Sequence, residues 1–256
     1  MNFKCLLLAA GRGSRMGDMT CAIPKALVPL LGKPIIRWQT EALKSANLND
    51  FKAIGGYKWE SLNKEIPVVC VNHSWKNTNM VYSLFLAADY YKNNNTIVTY
   101  SDIVFHPEII RNILKAEGDI VISFDTLWGE LWGKRFRDIT VDAETFKQVD
   151  NVLQDIGQKV IDSKKVYGQY MGILKITPKG WGKIIKCYKE LDVRERETID
   201  MTSFLRHLLE KGIKINTSPA DGKWCEVDTI SDLRLYEELC QSSFLDNLVW
   251  SHDWRS

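Results

Sequence analysis

The chain opens on a nearly continuous apolar run at residues 3–9, the length and composition of a strand buried on both faces. Similar short runs recur at 51–57, 67–71, 96–101 and 119–124. Between them apolar residues fall at helical spacing. The segment 34–46 starts at Pro34 and carries Ile35, Ile36, Trp38, Gln39 and Leu43; 78–91 carries Val81, Leu84, Phe85 and Ala88; 107–116 is a third. Strands alternating with helices predict an α/β fold with a mostly parallel sheet covered on both faces, and ligands outside the carboxyl ends of its strands. Gly11 and Asp102, which follow the first and fourth strands, fall on that edge.

The pattern changes after about residue 127. Segments 137–142, 145–151 and 158–161 read as short antiparallel pieces, and 169–176 as a longer strand. Helices are predicted at 178–191 and 201–211, a last pair of strands at 213–218 and 223–227, and a final amphipathic helix at 229–240 capped by Thr229. The tail 244–256, with Trp250 and Trp254, fits no element. It is expected to dock on the body or on a second copy of the chain, the latter giving a homodimer.

Composition narrows the classes. A chain of 256 residues with 45% hydrophobic content suits one large globular domain, or one domain with a small lobe. A net charge of +2 gives no argument for a nucleic-acid or membrane-surface partner, so any phosphate must be held by local cations. No apolar run approaches the ~20 residues that span a bilayer. The first run is short for a signal peptide and leads into a working loop. The six cysteines are scattered without a Cys-x-x-Cys pair, which fits a reduced, cytoplasmic protein better than a disulfide or zinc framework.

The loop is Leu8-Ala9-Ala10-Gly11-Arg12-Gly13-Ser14-Arg15, followed by Pro24-Lys25-Ala26-Leu27. Gly11 and Gly13 let backbone N–H groups approach a phosphate closely. Arg15 supplies a forked, permanently charged donor for β- or γ-phosphate oxygens. Lys25, held by Pro24, places a point charge near the α-phosphate. The spacing excludes a P-loop, because no Lys-Ser or Lys-Thr follows the glycines. It excludes a dinucleotide fingerprint, and with it a dehydrogenase, because Met16 stands where the third glycine belongs. Asp102, in Tyr100-Ser101-Asp102, suits Mg²⁺, a hard cation that takes one or two carboxylates plus phosphates. Glu226 and Asp228 alternate on a strand and point the same way, offering further oxygens. The competing readings make Asp102 the cap of the helix at Pro107 and Asp228 the cap of the last helix.

The loop and the Pro-Lys-x-Leu that follows it resemble the signature of the sugar-nucleotidyltransferase superfamily, and the likeness runs over nearly the whole chain. It implies a Rossmann-like, GT-A-like single domain over 1–256: a nucleotide-binding half (1–125), an acceptor-binding half (126–228), and a C-terminal helix with its tail (229–256). A departure at 17–23, where many members carry Pro-x-Thr, predicts a different lid over the triphosphate. The implied reaction is attack by an acceptor phosphate on the α-phosphorus of a nucleoside triphosphate, with pyrophosphate leaving. Mg²⁺ would sit on Asp102 and Asp228, with Glu226 as a further ligand or an outer group. Lys25 and Arg15 would neutralise developing charge, and Ser101 would join the nucleotide contacts.

Asn79-Met80-Val81-Tyr82-Ser83-Leu84 resembles the Asn-x-x-Tyr-Ser-Leu of small CTP-dependent cytidylyltransferases of the phosphocholine type. Asn79 and Ser83, one helical turn apart, would then read a pyrimidine edge or a ribose; the alternative is an ordinary capped helix. Trp132, Arg135 and Arg137 fall where the superfamily binds its acceptor, and Asp200 opens a helix able to line the same pocket. The cations there favour an anionic or zwitterionic acceptor. Asn77-Thr78-Asn79-Met80 with Asp142-Ala143-Glu144 resembles a capsule-associated branch, which implies L-glutamine phosphate as acceptor, with phosphocholine next and 2-aminoethylphosphonate third. Two further readings stand beside this: a sugar-1-phosphate nucleotidyltransferase using UTP, GTP or dTTP, and a non-catalytic nucleotide-sensing subunit, which would be expected to lack Lys25 or one of the aspartates.

Overall fold

The computed structural model describes residues 3–160, 163, 166–246 and 250–255. The chain runs β1 (Phe3–Leu8), β2 (Pro29–Leu30), β3 (Lys33–Pro34), α1 (Ile35–Ser45), β4 (Phe51–Gly55), α2 (Trp59–Leu62), β5 (Val68–Val71), α3 (Met80–Leu86), α4 (Ala88–Tyr91), β6 (Asn95–Tyr100), β7 (Ile103–Phe105), α5 (Pro107–Lys115) and β8 (Ile120–Asp125). It continues through α6 (Trp128–Arg135), β9 (Glu144–Val149), β10 (Val152–Lys159), β11 (Gln169–Ile176), α7 (Pro178–Glu190), α8 (Val193–Thr198), α9 (Met201–Glu210), β12 (Asn216–Ala220), β13 (Trp224–Glu226) and α10 (Ile230–Asp246).

Among the described residues nine strands form one sheet, in the order β5-β4-β1-β6-β11-β8-β12-β10-β9. The first four are mutually parallel; β11 runs antiparallel between β6 and β8; β12 is parallel to β8. This is the expected mixed, mostly parallel, Rossmann-like sheet flanked by helices. The alternation within β1 explains its uniform apolarity. Cys5 and Leu7 face a layer that includes Ile35 and Leu43 of α1 and Ile110 of α5. Leu6 and Leu8 face the layer that holds Val81 and Leu84 of α3 and Trp181 of α7. A central strand with a core on each side has no solvent face to keep polar.

Several predicted elements differ. No strand forms at 137–142: Asp138 accepts from the amide (2.9 Å) and hydroxyl (2.7 Å) of Thr140, and that local turn replaces a ladder. The segment before it is the helix α6, whose Gly129 and Gly133 hide its pattern in the sequence. The helix expected at 78–91 breaks at Ala87 into α3 and α4. The pieces at 145–151 and 158–161 are the two arms of a hairpin, β9 and β10, turning through Asp150 and Asn151 at positive φ; residue 161 lies outside the described residues. The last two strands are not a pair. After a turn through Gly222 and Lys223, both at positive φ, β13 leaves the main sheet and pairs antiparallel with β7, a short strand the sequence pattern did not reveal.

The described part of the tail docks on its own body. Trp250 stacks on Tyr236 at 5.9 Å, and Trp254 meets Trp38 edge-on at 5.9 Å. His252 is fully buried, with Nε2 2.9 Å from Asp125 Oδ2. Residues 247–249 and 256 lie outside the described residues. No helix among the described residues is long and apolar enough to cross a membrane.

Candidate active site

At the carboxyl end of β1 the chain enters the loop through Gly11 and Gly13. Gly13 adopts φ 72°, ψ 55° and precedes two short 3-10 turns within Ser14–Thr20 that kink at Gly17 (φ 54°, ψ −129°). A Cβ there would lie 2.6 Å from Lys25 Cβ, so a glycine is required both by the backbone and by the lysine packed on it. Gly11 is different: a Cβ there would meet nothing within 4 Å, and the residue opens onto a cavity of about 300 Å³. Leu8, Ala10, Ser14, Arg15, Lys25, Ser101 and Asp102 also line this cavity. Ala9 and Arg12 do not. Ala9 is turned into the core. The Arg12 guanidinium lies 5.6 Å from the centre of the Tyr57 ring.

Lys25 is 7% exposed and bridges two carboxylates, with Nζ 2.9 Å from Asp102 Oδ2 and 2.8 Å from Asp228 Oδ1. Burial alone would pull its pKa down; Asp102, Asp228 and Glu226 outweigh that and raise it. Arg15, whose side chain is 69% exposed, pairs with the other oxygen of Asp228. The β7–β13 ladder explains how residues so distant in sequence meet. Its register pairs Glu226 with Ile103, and one step further the Val227 amide donates to the Asp102 carbonyl at 2.8 Å. Asp102 Oδ1 is buried and, among the described residues, has no hydrogen-bond partner. Two converging carboxylates with an unsatisfied oxygen fit a hard cation that draws its remaining ligands from phosphates and water. No set of three or more His, Cys, Asp and Glu side chains converges as a cation cage among the described residues.

Asp102 does not cap α5; His106 does, its Nδ1 accepting from the Glu108 amide at 3.3 Å. Asp228 is not the cap of α10 either. Thr229 is, accepting from the Asp232 amide at 3.2 Å. What fixes Asp102 is Gln39, fully buried on α1. Its Nε2 donates to the carbonyls of Tyr100 (2.9 Å) and Ile103 (2.7 Å), on either side of the aspartate, and its Oε1 accepts from Thr99 at 3.1 Å. The signal was a polar side chain on the apolar face set by Ile35 and Leu43. A Gln39→Leu protein is expected to lose about 1–3 kcal/mol in a denaturant melt, because three buried polar groups lose their partner. Its turnover should fall while its far-UV spectrum stays that of the wild type.

The cavity's other wall comes from the end of β5 and the start of α3. Asn79 caps α3, with Oδ1 accepting from the Met80 amide at 2.7 Å and Nδ2 donating to the Thr198 carbonyl at 3.2 Å. Ser83 is buried, and its hydroxyl accepts from Asn72 Nδ2 at 3.0 Å. Asn72, Trp75, Thr78, Met80 and Tyr100 line the same wall without having been singled out for it.

A second cavity of about 310 Å³ adjoins the first, and Met80 and Tyr100 line both. Trp132, Asp142, Glu144, Asp200, Thr202, Trp224 and Glu226 line it, with Tyr170, whose ring meets Tyr100 edge-on at 5.8 Å. Burial lifts the carboxyls of Asp142 and Glu144 and pushes Glu226 up to about 7 against the pull of Arg135. No lysine or arginine lines it among the described residues. Arg137 is exposed and away from it. The Arg135 side chain is 1% exposed and buried behind the wall on Asp232 and Glu226. The two arginines expected to bind the acceptor therefore do not line this cavity: Asp232 and Glu226 claim Arg135, and Arg137 is exposed. Glu226 lines this cavity with Arg135 on its Oε2 at 3.0 Å, and its charge also reaches Lys25.

Residues 5–164 match the model of the MobA-like NTP transferase domain. The chain belongs to this family. The transferase is 34% identical to the CTP:phosphoglutamine cytidylyltransferase of Campylobacter jejuni, over 91% of this chain and 98% of that one. It is 26% identical to the choline-phosphate cytidylyltransferase of Streptococcus pneumoniae, over 93% and 99%. Among solved structures, the CTP:phosphocholine cytidylyltransferase of S. pneumoniae superposes with a TM-score of 0.72 at 24% identity, covering 94% of this chain and all of that one. The inositol-1-phosphate CTP transferase of T. maritima gives 0.75 at 18%, covering 95% and 96%. The fold is thus that of the nucleotidyltransferases, and the transferase is an enzyme of that class.

Proposed function

We propose that the enzyme transfers CMP from CTP to the phosphate of a small acceptor that also carries an ammonium group, with L-glutamine phosphate as the first candidate. The observation that carries this reading is the junction of two cavities beside Lys25, Asp102 and Asp228: one lined by the glycine loop with Arg15 and Lys25, the other walled by acids and aromatic rings. A phosphate oxygen of the acceptor attacks the α-phosphorus of CTP; that P–O bond forms as the bond to the β-phosphate bridge breaks, and pyrophosphate leaves with its electron pair. Asp102 and Asp228 would hold Mg²⁺, which supplies Lewis-acid neutralisation of the phosphate charge. Lys25 stabilises charge at the α-phosphate, and Arg15 takes the departing pyrophosphate. The acceptor phosphate is already a nucleophile, so no strong base is required.

The wall of Trp132, Trp224, Asp142, Glu144 and Asp200 supports a cationic group on the acceptor. It equally favours a second reading, phosphocholine, whose only charge beyond its phosphate is positive. The thiols of Cys5, Cys21, Cys70, Cys187 and Cys225 are free, in keeping with a cytoplasmic enzyme. The likeness of Asn77-Thr78-Asn79-Met80 and Asp142-Ala143-Glu144 to a capsule-associated branch supports a role in supplying an activated group to capsule polysaccharide.

The test is pyrophosphate release with Mg²⁺ across CTP, UTP, GTP, ATP and dTTP, each paired with phosphoglutamine, phosphocholine, aminoethylphosphonate and glucose-1-phosphate. The expected result is turnover with CTP and phosphoglutamine, with glucose-1-phosphate slower by at least about 100-fold. Turnover with CTP and phosphocholine alone would replace the acceptor and keep the chemistry. Preference for a sugar-1-phosphate would overturn the reading.

A further inference from the structure

The buried cluster behind the acceptor-side wall has no part in the chemistry above, yet it touches both halves of the site. Arg135, on α6, forks onto Asp232, with Nε 3.0 Å from Oδ1 and Nη2 3.3 Å from Oδ2. Its third nitrogen, Nη1, donates to Glu226 Oε2 at 3.0 Å. Asp232 in turn accepts at Oδ2 from the backbone amides of Asp228 (3.0 Å) and Thr229 (2.8 Å). The guanidinium carbon lies 5.1 and 4.9 Å from the centres of the Trp132 and Phe136 rings. Trp132 and Glu226 line the acceptor-side cavity, and Asp228 lines the nucleotide side.

We propose that Arg135 and Asp232 are positioning residues. Asp232 grips the backbone from which the Asp228 carboxylate projects, and Arg135 locks that grip to Glu226 and Trp132, so that one buried ion pair fixes the metal-side carboxylate against the acceptor wall. A capped helix needs only the Thr229–Asp232 pair. The buried fork is an addition to it. Bidentate geometry is what an arginine supplies and a lysine does not. Small errors in aim cost a group-transfer enzyme heavily, even when they arise outside the reacting groups. The inference rests on Asp228 being a metal-side carboxylate.

Three variants test it: Arg135→Lys, Asp232→Asn and Thr229→Val. Each is measured for cooperative thermal unfolding, for turnover, and for equilibrium CTP binding as Mg²⁺ is raised, which requires no acceptor. Arg135→Lys and Asp232→Asn are expected to unfold cooperatively, to lose about 10- to 100-fold in kcat, and to need more Mg²⁺ for half-maximal CTP binding. Thr229→Val, which removes the cap but leaves the fork, should lower Tm and leave kcat and the Mg²⁺ requirement unchanged. If the fork variants lower Tm alone, or if both fail to fold, the cluster is structural and the inference is overturned. If the enzyme prefers another acceptor, the same comparison is made with that acceptor, so the fate of the acceptor assignment leaves this test intact. If the wild type shows no Mg²⁺-dependent CTP binding, the metal-side reading of Asp228 fails, and this inference with it.

Discussion

Asp102→Asn and Asp228→Asn proteins are expected to fold as the wild type does and to lose turnover by at least about 100-fold at saturating CTP and acceptor. Asparagine keeps one oxygen of the same reach, replaces the other with an NH2 group and removes the charge. The buried, unpartnered Oδ1 of Asp102 has no structural role to lose. Each variant still leaves one carboxylate on the Lys25 ammonium, which both share now. The Asp228 variant also gives up Arg15, whose side chain is 69% exposed, and an ion pair so open to water contributes little to stability. A Tm near that of the wild type together with collapsed kcat is therefore the signature of a functional carboxylate. The measurement is kcat at several Mg²⁺ and Mn²⁺ concentrations beside a melt. Wild-type turnover in either variant would remove that residue from the metal assignment.

The two aspartates also mark how far the sequence could be read. Asp102 was legible because a strand pattern ended one residue before it, and parallel sheets bind at that edge. Asp228 was legible as a further oxygen beside Glu226, and as a metal-side carboxylate through family likeness. Its meeting with Asp102 depends on the β7–β13 ladder, and the three-residue strand β7 is too short to carry a pattern. Gly13 and Lys25 were read as separate contributors to one phosphate site; that the glycine exists partly to admit the lysine's stem is a tertiary fact. Asn79 and Ser83 come to the wall of the first cavity, yet both are already engaged, Asn79 in a cap and Ser83 with Asn72. Family likeness places Arg135 where the superfamily binds its acceptor. A cation near an expected acceptor site was assigned to the acceptor, whereas burial turned it toward Asp232 and Glu226. Sequence reports which charges are near one another along the chain; which of them keep water and which must find a partner is decided by packing. The same limit applies to Gln39, whose polar head on an apolar helix face is visible, but whose grip on both flanks of Asp102 is not.

Lys25→Met is expected to lower kcat by about 10²–10³-fold, equivalent to about 2.7–4 kcal/mol of transition-state stabilisation, with a much smaller change in the KM for CTP. Methionine matches the stem that packs on Gly13 and deletes the ammonium alone. The lysine has two candidate tasks, and kinetics separates them. If it acts on the α-phosphate as the new P–O bond forms, kcat falls and CTP binding survives. If it serves to hold CTP in the ground state, KM rises and kcat is kept. If its task is to keep Asp102 and Asp228 from repelling one another, the variant melts early without divalent cation and recovers when Mg²⁺ is added, because either cation neutralises the same two carboxylates. The lysine's raised pKa sets the expected pH behaviour. A lysine whose pKa is raised on folding contributes stability that is fully present below the ordinary lysine value of 10.5 and is lost only as pH climbs through its higher native value. In the metal-free protein Lys25 therefore stays charged across neutral pH, and a melt series should show the same Tm difference between the wild-type and Met proteins at each pH below 10.5 where Glu226 does not titrate.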